Sequence, residues 1–170
     1  MTDYGFKLVF LGDEGVGKSS LIVRYVKNTF SNKYISTLGV DFLTKELKFD
    51  EVGLVKLIIW DIGGQETWKK KLNLYLKGSD GAVIVVDLTR KQTLDDLKFW
   101  FGALEKYAPN IPRILVGNKT DLNNQRKISS DDLNNKSTIK KFETSAKTGD
   151  TVEKIFIEIS EMMVENTIKK

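Results

Sequence analysis

The stretch from Leu8 to Val26, LVFLGDEGVGKSSLIVRYV, constrains this chain more than any other. An apolar run, FKLVFLG at 6–12, leads into a glycine-rich turn. A helical pattern over 18–27 leads out of it, with Leu21, Ile22, Tyr25 and Val26 on one stripe. A continuous apolar run of this length predicts a strand buried on both faces. Between strand and helix, Gly12-Asp13-Glu14-Gly15-Val16-Gly17-Lys18-Ser19 matches the pattern G-x-x-x-x-G-K-[ST]. Glycines let such a backbone turn its N–H groups inward around phosphate oxygens, and the following helix presents its positive end. Lys18 reaches the terminal phosphates as a point charge, and the Ser19 hydroxyl is a hard ligand for Mg²⁺. Two acids in an anion-binding loop need a reason. With the N–H groups inward, Asp13 and Glu14 are expected to project into water, where a carboxylate costs the phosphate site on the order of 1 kcal/mol. Asp13 is then harmless, while Glu14 lies nearer the terminal phosphate, on the path of an arginine from a partner.

The rest of the chain alternates strand and helix patterns. VDFLTKELKFD and LVKLIIWD flank Glu51-Val52-Gly53 and predict an antiparallel hairpin. GAVIVVDL (81–88) and RILVGNK (113–119) predict two more buried strands. Residues 93–108 between them read as one helix, with Leu94, Leu97, Trp100, Phe101 and Leu104 inward. A last short strand is expected over 140–144, and a final helix over 151–168 with Ile155, Phe156, Ile159, Met162 and Met163 facing in. Asp150-Thr151-Val152-Glu153 fits a capping box for that helix. Residues 28–39 are polar and irregular. The alternation implies an α/β fold with a mostly parallel sheet covered by helices on both faces, which binds ligands at the carboxyl ends of its strands.

Composition narrows the chemistry. The 170 residues suit one domain. The chain has no cysteine and no histidine, which excludes disulfides, zinc–thiolate sites, thiol nucleophiles and the Ser-His-Asp mechanism. The net charge is only +4, so the clusters Lys69-Lys70-Lys71 and Lys140-Lys141 read as solvated faces rather than a nucleic-acid site. No run approaches a membrane span, no signal peptide opens the chain, and no terminal cysteine is available for prenylation. A cytoplasmic protein, recruited to membranes through partners or a further tail, is the expectation.

Asn118-Lys119-Thr120-Asp121 closes a strand, where a carboxylate at Asp121 can accept from the N1–H and exocyclic amine of guanine. Adenine would leave that carboxylate unpaired, so discrimination is strong. Asn118 can hold the loop, and the Lys119 stem can cover the base face. In Thr144-Ser145-Ala146-Lys147 the Ala146 N–H is the candidate donor to the guanine 6-oxygen. Trp60-Asp61-Ile62-Gly63-Gly64-Gln65-Glu66 ends another strand. There Asp61 is placed to hold Mg²⁺, Gly64 to offer its N–H to the γ-phosphate, and Gln65 to orient the attacking water. Thr37 is the candidate for closing on the metal and γ-phosphate. Phe30 reads either as a wall for the base or as a core aromatic, and Trp68 either as a partner anchor or as a packed side chain.

The loop, STLGVDF, WDIGGQE, NKTD and TSAK together resemble the Ras superfamily of small GTPases over nearly the whole chain. YISTLGVDF, KLIIWD and ETSAKTG are similar to the Rab branch. DIGG and the acid at the third loop position resemble the ADP-ribosylation-factor branch. The resemblance implies a P-loop NTPase three-layer fold with a six-stranded sheet, one strand antiparallel, about five helices, and a single G domain over 1–170. It implies Mg²⁺-dependent hydrolysis of GTP to GDP, with Gln65, Lys18, Thr37 and Gly64 as the catalytic set and Ser19, Thr37 and Asp61 around the metal. The nucleotide-binding set it implies comprises Glu14, Gly15, Val16, Gly17, Lys18, Ser19 and Ser20 in the loop, with Phe30 at the guanine edge and Tyr34, Thr37 and Gly64 from the two switch segments. Asn118, Lys119, Asp121, Ser145, Ala146 and Lys147 complete it at the base. Partners are an effector, an exchange factor and an activating protein at the two switch segments around Thr37 and Gln65, and the chain is expected to be a monomer. Residues 28–39 contain Lys33 but no arginine, so slow intrinsic turnover and a partner's arginine are expected. A nucleotide-locked binding module and an ATPase are the competing readings; NKTD and TSAK speak against the latter.

Base reading by Asp121 has a direct check. Asp121→Asn is expected to weaken GTP and GDP binding strongly and to improve xanthine nucleotide binding, because an amide can donate to the xanthine 2-carbonyl. Titration with both nucleotide types measures it, and unchanged GDP affinity would remove Asp121 from base recognition.

Overall fold

The apolar runs that the sequence spaces apart become neighbours in one sheet. The computed structural model describes residues 2–170. Strands β1 (Thr2–Leu11), β2 (Val40–Phe49), β3 (Gly53–Ile62), β4 (Gly81–Asp87), β5 (Arg113–Asn118) and β6 (Lys141–Glu143) form a six-stranded sheet in the order β2-β3-β1-β4-β5-β6. Only the β2–β3 hairpin is antiparallel. The chain winds one way from β1 to β3 and the other way to β4, β5 and β6, so a crevice opens where β1 ends. Register aligns the strand ends there: Phe10 pairs with Asp61, and Asp87 with Asn118.

Alternation along β1 splits the core into two layers. Leu8 and Phe10 face one side with Val83, Val85 and Phe156, while Val9 and Leu11 face the other with Leu72, Leu76, Trp100 and Leu104. Helices α1 (Lys18–Lys27) and α7 (Val152–Ile168) cover the first face. Helices α2 (Glu66–Lys69), α3 (Leu72–Leu76), α4 (Lys91–Asp95) and α5 (Leu97–Tyr107) follow, with α3, α4 and α5 covering the second face, and α6 (Ser130–Asn134) lies beyond β5. Taking α2 with α3 and α4 with α5, the described residues carry the five helical regions expected. No helix among them is long and apolar enough to cross a membrane.

Three local expectations fail for identifiable reasons. The helix expected over 93–108 divides at Asp96, whose N–H bonds back to Gln92 and Leu94 while it starts α5. Phe101 is then only half-buried, and Ala103 takes an inward position beside Trp100 and Leu104. The capping box expected at 150–153 does not form: the residue ahead of α7 is Thr151, in the left-handed region at φ 65, with no side-chain cap. A capping box forms instead at Ser129 and Asp132, ahead of α6, where no element was read from the sequence. Of the expected α7 stripe, Ile155, Phe156, Ile159 and Met163 are buried and Met162 half-buried.

The first layer is keyed by aromatics. Phe156 stacks on Tyr25 at 3.9 Å and on Phe10 at 5.4 Å between ring centroids, and is 1% exposed. Truncating it leaves a cavity under both α1 and β1. Phe156→Ala is expected to cost about 3–5 kcal/mol in denaturant unfolding, and a loss below about 1 kcal/mol would show that the layer closes over the gap.

Candidate functional site

The loop after β1 is shaped by what holds its carbonyls. Lys18 Nζ donates to Gly12 O at 2.7 Å and Asp13 O at 2.9 Å. Arg90 Nη2 donates to Glu14 O at 2.7 Å, Lys119 Nζ to Gly15 O at 2.9 Å, and Asn118 Nδ2 to Val16 O at 3.0 Å. Leu21 N of α1 takes Gly17 O at 3.0 Å. With each carbonyl from 12 to 17 engaged, the loop's peptide N–H groups are left for a ligand, apart from that of Val16, which reaches Asp13 O at 3.5 Å. Two of the cations are themselves held by Asp87, at the end of β4: Lys119 Nζ lies 2.8 Å and Arg90 Nε 3.0 Å from its Oδ2. Burial works to raise the Asp87 carboxyl, but the bonds from Lys119 and Thr89 outweigh it and hold the group below its ordinary range.

Next to the loop is a cleft of ≈ 460 Å³. Glu14, Gly15, Gly17, Lys18, Ser19, Ser20, Phe30, Tyr34, Thr37 and Gly64 line it, as do Asn118, Lys119, Asp121, Ala146 and Lys147. Val16 and Ser145 stand behind the wall: Val16 is fully buried in the core, and Ser145 Oγ donates to Asp121 Oδ1 at 2.7 Å, fixing that carboxylate. Phe30 packs on the core and also lines the cleft. One expected donor is diverted. The Ala146 N–H bonds Asn118 Oδ1 at 3.2 Å, because the Asn118 amide ties the loop after β6 to the loop after β1.

Ser19, Thr37 and Asp61 converge at one end of the cleft. Ser19 Oγ lies 2.8 Å from Thr37 Oγ1 and donates to Asp61 Oδ2, and Thr37 Oγ1 reaches the same oxygen at 3.4 Å. Asp61 is 2% exposed, and its Oδ1 has no hydrogen-bond partner among the described residues. Burial raises its carboxyl against the hydrogen bond from Ser19 and the charge of Lys18. A buried, unpartnered carboxylate oxygen beside two hydroxyls is an all-oxygen donor set that suits a small hard cation such as Mg²⁺. Lys18 is 5% exposed; burial pulls its ammonium down to about 8, against the opposing charges of Asp61, Asp13 and Glu14.

The segments around Thr37 and Gln65 meet over the loop. A Cβ on Gly64 would lie 2.5 Å from Glu14 N and Gly12 O, so only glycine lets this backbone rest on the loop. A Cβ on Gly63 would lie 2.6 Å from Trp68 Cδ1 and 2.7 Å from Thr37 O. The unusual glycine of DIGG thus makes room for Trp68, which also lies over Gly39. Trp68 is half-buried, with its ring against Gly63 and Gly39. Among the described residues the large exposed apolar side chains are Tyr34, Ile35, Leu38, Phe42, Ile58, Leu74, Phe99 and Ile168.

The two acids part company. Glu14 is exposed as expected, yet not free: its Oε1 accepts from Tyr34 Oη at 2.6 Å, Ser36 Oγ at 2.8 Å and Gln65 Nε2 at 3.1 Å. The expectation for Asp13 is overturned. It turns away from the cleft, half-buried, and accepts from Trp100 Nε1 of α5 at 2.9 Å. Sequence reasoning also missed Asp87, Arg90 and Arg24, whose Nε donates to Ala146 O at 2.8 Å and Nη2 to Lys147 O at 2.5 Å. Asp87 alone carried a signal, an acid at the carboxyl end of a buried strand, as Asp61 is.

Burial, followed by the neighbouring Asp96 carboxyl, pushes the Asp13 carboxyl up to about 6, while the bond from Trp100 lowers it. Asp96 is held low, chiefly by its hydrogen bond with Asp13. The two carboxyls are hydrogen-bonded to each other, and Asp13 is the one pushed toward its protonated form. A carboxyl whose folded pKa exceeds its unfolded value near ~4 makes the folded state the tighter proton binder, so its contribution to stability declines between about pH 4 and pH 6. Asp13→Asn keeps an acceptor for Trp100 without the charge. It is expected to be near neutral at about pH 4 and stabilising by about 1 kcal/mol at about pH 7.5, after allowance for screening at this half-exposed group. Denaturant unfolding of both proteins at both pH values checks this, and an equal difference at the two would exclude a raised Asp13 carboxyl.

Residues 7–165 match the Ras family. The chain is 40% identical over 166 residues to Ras-related protein Rab-1 of Theileria parva, covering 95% of this chain and 75% of that protein. It is 38% identical over 162 residues to Ras-related protein Rab-1D of Dictyostelium discoideum, covering 93% and 79%, and 41% identical over 158 residues to Ras-related protein Rab11C of Lotus japonicus, covering 91% and 73%. On a six-stranded fold with a carbonyl-pinned loop at the end of β1, these matches give one conclusion: the chain belongs to the Ras family and is a Rab-like small GTPase.

Proposed function

We propose that residues 1–170 form a single G domain, a monomeric switch that binds GTP or GDP with Mg²⁺ and slowly hydrolyses GTP to GDP and phosphate. The observation that carries this reading is the loop whose carbonyls are tied outward by Lys18, Arg90, Lys119 and Asn118, beside a cleft that ends at Asp121. In it, the loop N–H groups and Lys18 bind the phosphates, and Asp121, held by Ser145, reads the guanine edge. Lys119 lays its stem along the base, and Phe30 and Lys147 line the base side. Ser19, Thr37 and Asp61 would hold Mg²⁺, which would neutralise charge developing on the terminal phosphates. Gly64 offers its N–H to the γ-phosphate, and Gln65 orients the attacking water. Loss of the γ-phosphate releases Thr37 and Gly64, and that change is what effectors read. The exposed group Ile35, Leu38, Phe42 and Leu74, adjoining Thr37 and Gln65, is suited to effector, exchange-factor and activating-protein contacts. Work in membrane trafficking or signalling, in the cytoplasm with recruitment through partners, fits the Rab-like character. One observation favours the slower extreme, a nucleotide-locked module: Glu14 engages the Gln65 amide.

Phosphate release from purified protein loaded with Mg-GTP tests the reading. Turnover is expected to be slow and dependent on Mg²⁺. Gln65→Leu is expected to keep GTP affinity within about threefold while lowering the single-turnover rate by about tenfold or more. No release from a fully GTP-loaded wild type would leave the locked module, and an unchanged rate in Gln65→Leu would remove Gln65 from the chemistry.

A further inference from the structure

Glu14 stands at the junction of the loop and both switch segments, and its fixation is two-sided. Its carbonyl is gripped by Arg90 at 2.7 Å, and Arg90 is anchored on buried Asp87. Its side-chain Oε1 collects the Tyr34 hydroxyl, the Ser36 hydroxyl and the Gln65 amide at 2.6, 2.8 and 3.1 Å. Ser36 Oγ also lies 3.2 Å from Tyr34 Oη, so the first segment is closed on itself around the carboxylate. Gly64, the residue before Gln65, rests on the Glu14 backbone. Bonds of this kind, from neutral donors to an ionised oxygen, are stronger than neutral ones. Consistent with that, they hold the Glu14 carboxyl below its ordinary range.

We propose that Glu14 is a positioning residue for the hydrolysis described above: its carboxylate competes with the terminal phosphate for the Tyr34 hydroxyl and the Gln65 amide, keeps both switch segments drawn to the loop in the GDP state, and withholds Gln65 from the attacking water. The inference rests on the GTPase reading. It follows from chemistry both anions share, since each is an acceptor next to the same donors. An anchor resident in the chain does not leave with phosphate, so the segments lose Thr37 and Gly64 contacts on hydrolysis but retain those to Glu14. Open and closed states then differ less than a γ-phosphate alone would make them.

Reach and charge separate this role from simple repulsion between Glu14 and phosphate. Glu14→Asp keeps the charge and shortens the arm by one methylene. Glu14→Gln keeps the arm and an acceptor oxygen but loses the charge. Bound guanine nucleotide is quantified first in wild type, Glu14→Ala, Glu14→Asp and Glu14→Gln. Amide hydrogen exchange over 33–38 and 64–67 is then measured in the GDP-loaded and GTP-analogue-loaded forms, together with single-turnover hydrolysis. Exchange in the GDP form is expected to rise about tenfold in Glu14→Ala and Glu14→Asp and less in Glu14→Gln, with a smaller change in the analogue-loaded form. Hydrolysis is expected to rise by about threefold or more in Glu14→Ala. Loaded protein whose exchange is unmoved in the GDP form, or a Glu14→Asp that behaves as wild type while Glu14→Gln behaves as Glu14→Ala, would overturn the anchor. Absence of guanine nucleotide binding in all four proteins would overturn the GTPase reading itself, and the anchor with it.

Discussion

The constraint on which the rest depends is the satisfaction of the loop carbonyls between β1 and α1. A buried or half-buried carbonyl without a donor costs free energy comparable to a lost hydrogen bond. Here Gly12, Asp13, Glu14, Gly15 and Val16 each receive one from Lys18, Arg90, Lys119 or Asn118. Satisfying the acceptors from outside is what frees the donors for an anion. The arrangement has an electrostatic side as well. Three of these four donors are cationic, so the groups that shape the loop also make its surroundings positive, and neither task depends on the loop's own acidic side chains.

Those donors tie the two ends of the cleft together. Asn118 ends β5 and Lys119 follows it at the Asp121 end, yet their side chains reach back to Val16 O and Gly15 O in the loop after β1. Asp87, at the same level of the neighbouring strand, holds Lys119 and Arg90 at once. Lys119 adopts a left-handed φ of 76, a conformation costly for a residue with a side chain and sustained by these two bonds. Lys119 thus joins its loop to the carbonyl of Gly15 directly, and to that of Glu14 through Asp87 and Arg90. Arg24 reinforces the other wall by holding the carbonyls of Ala146 and Lys147 from α1.

The sheet and most of the cleft were legible in the sequence because both are written locally. Buried strands read as unbroken apolar runs, and Gly12–Ser19, Asp61–Gln65, Asn118–Asp121 and Ser145–Lys147 each follow the strand that positions them. What was not legible is what depends on meetings between distant segments. Trp100 lies 87 residues from Asp13, and nothing near Asp13 announces an indole N–H. Arg90 lies 76 residues from Glu14, in a turn that reads as any polar turn. The Ala146 N–H was assigned to the base because its competitor, the Asn118 side chain, comes from 28 residues away. Short elements failed for a different reason: α6 spans five residues, too few for periodicity, and its capping box is the only local mark. At 150–153 the cap pattern was present, but Thr151 precedes α7 with a positive φ of 65 and no side chain caps the helix.

Glu14 in the loop and Gly63 in DIGG serve one arrangement. Gly63 leaves the space that Trp68 fills, so an indole from the second switch segment packs on the backbone of Gly39 and beside Thr37 O in the first. Glu14 binds Tyr34 and Ser36 of the first segment and Gln65 of the second. One tie is apolar and the other polar, and they act on opposite sides of Thr37. The apolar tie brings the larger contact area, since an indole is among the largest surfaces a side chain can offer. The polar tie is directional, and it holds the amide on which hydrolysis would depend. An alanine at 63 would press against both Trp68 and Thr37 O, and so would act on the position of Thr37 without touching the phosphate loop. The separation matters for how such a chain is tuned. Substitutions at 63 act where the two segments pack on each other, those at 14 where both segments attach to the loop, and neither touches Ser19 or Asp61 at the other end of the cleft.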